Sequence, residues 1–274
     1  MEALLNHPAV QAGVAPFVVG LLVALMLHRV HLGGLAAVAG FATAVWLTTG
    51  FTFWPLTATR KIIILALAAP VIGMFIDFGF KPNRLGAVII ALAAGAAVVW
   101  VFFPVLKQKA VPQGLMVGGI AVLVVVWLVY VNVIGLADRP VQCAAAALMM
   151  GLCAGALAIL GATASYGQYG IALGAGAGAF LLVLMIAGRV SPAGATLALS
   201  ASLTSGLLVA GTMILAQLHW HAVVLYALTP LAARLPGPAF APIWVRAFVH
   251  SFYAVVPVAA ACAIAYYGSR AVPS

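Results

Sequence analysis

Glu2, Asp77 and Asp138 are the only acidic residues among 274, so any chemistry that needs a carboxylate has three candidates. A charged carboxylate is costly to keep in hydrocarbon, and one that persists there is a functional hypothesis by default. Asp77 stands in "FIDFGFKPNR" at the end of an apolar run, with Lys81 four residues on and Arg84 seven. If helix continues that far, Asp77 and Lys81 share a face and pair; otherwise the carboxylate is open to a coupling ion or a proton. Asp138 adjoins Arg139 and Pro140 in a short break and is given no role.

The histidines carry the next candidates. His219 and His221 flank Trp220 in "LHWH". Residues two apart point to different faces of a helix, so these two form a poor metal pair, and His with Trp at an interface anchors to headgroups. His250 lies one helical turn beyond Arg246 inside an apolar run, where an axial haem ligand would need a second histidine at matching depth. Asn132, near Tyr130, is a neutral polar group that hydrogen-bonds across helices or touches a solute. The uncharged tract Thr163, Ser165, Tyr166, Gln168 and Tyr169 reads as a polar turn suited to a vestibule. Candidate substrate contacts are therefore Asp77, Asn132, His219, His221, Arg246 and His250.

Catalytic signatures are missing from the sequence. It has no glycine-rich phosphate loop, no HExxH, no GxSxG and no acidic metal cluster. No enzyme, metal or cofactor is expected. Cys143, Cys153 and Cys262 sit in apolar runs without CxxC spacing and read as packing residues.

The elements that hold these residues follow from composition. The chain is 66% hydrophobic and 5% charged, with a mean hydropathy of +1.26, against about 25% charged in soluble domains. So little charge cannot cover a water-facing surface. The surroundings must be hydrocarbon, and residues 1–274 read as a single integral membrane domain. The net charge of +9 falls as single or paired basic residues between apolar runs. That distribution excludes a nucleic-acid face and suits contact with anionic headgroups.

Crossing a core about 30 Å thick takes about 20 helical residues. Apolar runs of that kind fall at roughly 10–27, 32–52, 61–79, 85–106, 114–137, 141–164, 169–188, 194–217 and 247–267. The stretch from Gln217 to Arg234, with Pro230, can cross, re-enter or lie at the interface. The fold expected is all-α, a polytopic transmembrane helix bundle of nine or ten spans. A barrel is excluded because the runs do not alternate. The first run lacks the basic flank and cleavage pattern of a signal peptide and is expected to stay as a span.

Ten spans would divide five plus five as an inverted repeat. The rhythm shared by "FGFKPNRLGAVIIALAAGAA" and "SYGQYGIALGAGAGAF", about 85 residues apart, hints at one. Small residues four apart mark close helix packing: Gly151 with Gly155, then Gly170, Gly174 and Gly178, then Ala198, Ser202, Gly206 and Ala210. Pro70, Pro230 and Pro257 interrupt spans and free carbonyls that can bind ions or solute.

Two functions fit. One is a small permease for a neutral, anionic or lipophilic solute; the other is a non-catalytic accessory or scaffolding subunit of a larger membrane complex. In size, short hairpins and a five-plus-five count the chain loosely resembles small drug/metabolite exporters of the ten-helix kind, without a shared motif. The expected partners are the lipid bilayer, partner membrane subunits or further copies of the chain. A bacterial inner membrane is the expected location.

Overall fold

The computed structural model describes residues 7–30, 32–79, 83–161, 163–188, 191–216, 218–238 and 240–270. Ten helices account for most of them. They are α1 (Val10–Val30), α2 (Leu35–Thr48), α3 (Ala58–Gly79), α4 (Arg84–Leu106) and α5 (Val111–Gly135). The second half holds α6 (Pro140–Leu160), α7 (Ala164–Ala187), α8 (Gly194–Ala216), α9 (Trp220–Ala233) and α10 (Ile243–Arg270). Eight are long and apolar enough to cross a membrane; α2 and α9 are shorter apolar helices. The chain is an all-α polytopic bundle and a multi-pass membrane protein.

Contacts at the helix ends fix the direction of each helix. The Gln11 amide donates to the Leu47 carbonyl, so the start of α1 meets the end of α2. Tyr166, early in α7, bonds Thr59 at the start of α3, and His219, before α9, packs on Gly268 near the end of α10. At the far end Arg234, after α9, lies on the last residue of α5, Gly135. The ten helices therefore alternate in direction from one to the next. The face bearing the start of α1 and the end of α10 is here called the terminal face, and the other the distal face. The doubtful stretch crosses the bundle.

Small residues set the tightest packing. A Cβ on Gly151 would lie 2.6 Å from the Gly174 Cα, and one on Gly170 would lie 2.7 Å from the Gly155 Cα. No real side chain fits at such spacing, so backbone meets backbone where α6 crosses α7, as the glycine spacing predicts. Gly176 of α7 plays the same part toward Gly20 of α1 and Gly40 of α2.

Helix α8 is the axis of the bundle. Every residue from Ala195 to Ile214 is buried, with α3, α5, α6 and α4 among the helices around it. Four of its hydroxyls donate along its own backbone, among them Ser200 to Thr196 O at 2.6 Å, Ser202 to Ala198 O at 2.6 Å and Thr212 to Leu208 O at 2.9 Å. Lipid instead meets the large exposed side chains of other helices, such as Phe75, Ile89, Leu123 and Phe252.

Two proline breaks are closed by side chains. Pro104 of α4 has no N–H to offer the Trp100 carbonyl; Lys61 Nζ donates to that oxygen at 2.9 Å, its ammonium 4.8 Å from the Trp100 ring centre. In α9, Pro230 leaves the Tyr226 carbonyl without its usual donor, and the Thr229 hydroxyl supplies one at 2.7 Å. The neighbouring Ala227 carbonyl accepts from Trp127 Nε1 at 3.1 Å. The carbonyl freed by Pro230, expected as a solute or ion contact, is therefore already occupied.

The pairings α2 with α7 and α3 with α8 each join helices five positions apart. The two rhythmic hairpins differ: one joins α3 to α4 and the other enters α7, an offset of three helices. Their likeness follows from an Ala- and Gly-rich composition and does not mark a five-plus-five register.

Candidate functional site

A cavity of about 530 Å³ opens between five helices at the terminal face. Lys109 and Gln113 stand on its α5 side, His219 and Trp220 at the start of α9, and Met213 and Ala216 on α8. Gly161, after α6, and Ala265 of α10 complete the wall. The lining descends α5 from Gln113 to Ile120, seven residues or about 10 Å of helix. Polar groups ring the mouth, and Val117, Ile120, Leu160 and Met213 line the interior. No carboxylate of the described residues borders it. Such a vestibule can hold a solute with an anionic or hydrogen-bonding head and an apolar body.

The α5, α6, α8, α9 and α10 sector beneath it contains buried polar groups. The Tyr226 hydroxyl lies beside Ser205. Asn132 donates from Nδ2 to the Leu128 carbonyl at 2.7 Å, within 3.9 Å of Met150 Sδ, while its Oδ1 and the Thr204 hydroxyl oxygen have no hydrogen-bond partner in the protein. A buried polar atom left unpaired is costly, and these two are unpaired deep inside the bundle.

The distal end of the same sector is basic. His250 is buried, its Nε2 3.4 Å from the Gln142 amide nitrogen and its ring against Gly237. Gln142 also accepts from Arg139 at 3.5 Å. Arg246 is one turn away on α10, and Arg234 lays its guanidinium on Gly135 at the C-terminus of α5, where the helix dipole favours a cation.

Among the six candidate contacts, Asn132, Arg246 and His250 thus share this sector, and His219 lines the vestibule at its other end. His221 is exposed and stacked on Trp220, with ring centres 3.7 Å apart. Asp77 belongs elsewhere. Its carboxylate accepts from the Ala195 N–H at 2.6 Å, the Thr196 N–H at 2.9 Å and the Thr196 hydroxyl at 2.6 Å. It caps α8 from α3, placing negative charge at the positive end of the helix dipole. Gly194, with φ of +66°, is pressed against the carboxylate, and Asp77 and Asp138 line a separate pocket of about 150 Å³. The Asp77–Lys81 pair expected from spacing lies outside the described residues, as does Glu2.

Tyr166 and Tyr169, expected at a vestibule, are buried. The Tyr169 hydroxyl lies 2.9 Å from the Thr49 hydroxyl and accepts from Thr48 at 3.4 Å, and Thr59 donates to Tyr166 at 3.4 Å. They tie α7 to α2 and α3. Sequence reasoning passed over Lys109, in the turn before α5, and Gln113, on its first turn. The signal was present, but a lone lysine beside an apolar run reads as a headgroup contact.

Comparison with protein-family models and with the sequences of curated proteins finds no match for this chain.

Proposed function

We propose that the protein is a small permease whose solute, an organic anion with an apolar body, enters through the vestibule at the terminal face. The observation that carries this reading is the cavity between α5, α6, α8, α9 and α10, with Lys109, Gln113, His219 and Trp220 at its mouth and no acid among the described residues of its wall. The unpaired Asn132 and Thr204 oxygens and the basic group of Arg139, Arg234, Arg246 and His250 support a path that continues toward the distal face. In this reading Asp77 holds α8 in place and does not touch the solute, and His221 faces outward. The membrane is taken to be a bacterial inner membrane, since outer membranes are spanned by β-barrels.

The alternative, a scaffolding subunit, loses support because the glycine pairs that would seat partner helices are consumed where α6 crosses α7. Reconstitution decides between them. Vesicles containing the full chain should take up radiolabelled octanoate faster than empty vesicles, and Ala216→Trp, which fills the cavity, should lower that rate tenfold or more. Absence of flux for organic anions, cations and neutral solutes alike, or recovery only with a stoichiometric partner protein, would sink the permease reading.

A further inference from the structure

A second concavity lies on the outer side of α4 and α5. It measures about 540 Å³ and is lined mainly by apolar atoms, among them Val99 and Phe103 of α4 and Leu115, Gly119 and Val122 of α5. Phe103 and Leu115 are exposed, so the groove faces the membrane and not the bundle interior. Its lining runs along α5 from Val111 to Val122, eleven residues or about 16 Å. Lys107 and Lys109, in the turn between the two helices, border its mouth, and no acidic residue among the described ones lines it.

We infer that this groove is a binding site for an anionic phospholipid, with an acyl chain along the α4–α5 seam and the headgroup phosphate held by Lys107 and Lys109. The apolar floor lies at the depth of lipid chains and the two ammonium groups lie at the depth of phosphates, so a single lipid satisfies both. The other basic groups of this face are differently placed: Lys61 is bound to Trp100 and Arg60 to Pro55 and Thr52. A groove of about 620 Å³ between the start of α1 and the α6–α7 corner provides an internal comparison. Pro8, Ala12, Ile159 and Gln168 line it, and no charged residue among the described ones does; it should show no headgroup preference.

Glycine provides a clean test in both places. A Cβ on Gly119 or on Gly13 would meet no atom within 4 Å, so leucine at either position fills its groove without disturbing the packing. The full chain, in bilayers of phosphatidylcholine with a small fraction of either photoactivatable phosphatidylglycerol or photoactivatable phosphatidylcholine, is irradiated and the adducts are mapped by peptide mass. Adducts on residues 99–122 are expected from phosphatidylglycerol well above those from phosphatidylcholine. Gly119→Leu should remove most of them and Gly13→Leu none. Lys107→Gln and Lys109→Gln should each lower the phosphatidylglycerol preference about fivefold.

Equal labelling by the two lipids, or labelling that survives both Gly119→Leu and the double lysine replacement, would overturn the assignment. Lys107 is exposed, so Lys107→Gln keeps the test valid if Gly119→Leu fails to fold. Lys109 borders both cavities, whereas Lys107 and Gly119 do not line the vestibule; the Lys107→Gln and Gly119→Leu results therefore judge the lipid site apart from the transport reading.

Discussion

Asp77 illustrates how a residue singled out for scarcity finds its role only in three dimensions. Its type and its place in an apolar run were legible in the sequence; its partners, 118 and 119 positions away, were not. A carboxylate that accepts two backbone N–H bonds and a hydroxyl serves as the N-cap that α8 lacks in its own sequence. Replacement by alanine should destabilise the protein by about 1–2 kcal/mol, read as a lower midpoint of thermal unfolding in detergent. Asparagine, which keeps an acceptor oxygen but not the charge, should lose less. An unchanged midpoint in the alanine variant would show that the cap contributes nothing. The same limit hid the vestibule: Lys109 and His219 are 110 positions apart in sequence, and only the packing of α5, α6, α8, α9 and α10 brings them to one wall.

Among the elements, the long spans were legible because hydrocarbon demands uninterrupted apolar helix, and most boundaries fall within a few residues of the runs. The departures have local causes. The run through residue 52 ends as helix at Thr48, since Gly50 turns left-handed with φ of +65° and stops the helix. The tract "SYGQY" joins α7 because its tyrosine hydroxyls find partners on neighbouring helices. Proline breaks are the subtlest case, as their repair depends on residues far along the chain. Lys61→Met should orphan the Trp100 carbonyl and lower stability by about 1–2 kcal/mol. In a Pro104→Ala background, where the restored N–H takes that carbonyl, the same change should cost much less. A double-mutant cycle of unfolding midpoints checks this, and equal costs in both backgrounds would refute the repair.

For the whole molecule, ten alternating helices put the start of α1 and the end of α10 on one face. Composition left nine and ten spans open, because the stretch from Gln217 to Arg234 is short and interrupted by Pro230. A sidedness assay settles it. In a background with Cys143, Cys153 and Cys262 replaced by alanine, Gln108→Cys and His221→Cys, at exposed positions of the terminal face, should react with an impermeant maleimide from the same side of sealed vesicles, and Gly79→Cys and Leu235→Cys only from the other. Matching reactivity of His221→Cys and Leu235→Cys would remove α9 as a crossing and the ten-helix topology with it.

The brevity of α2 and α9 reaches beyond the protein itself. Fourteen residues, Leu35–Thr48 or Trp220–Ala233, rise only about 21 Å, roughly 9 Å less than ordinary hydrocarbon thickness. Lipids beside the outward side chains Trp46 and Val224 must shorten or tilt to meet them, so the bilayer is pinched at these two flanks. Such a mismatch costs a fraction of a kcal/mol per Å and draws the molecule toward short-chain, thin regions of membrane.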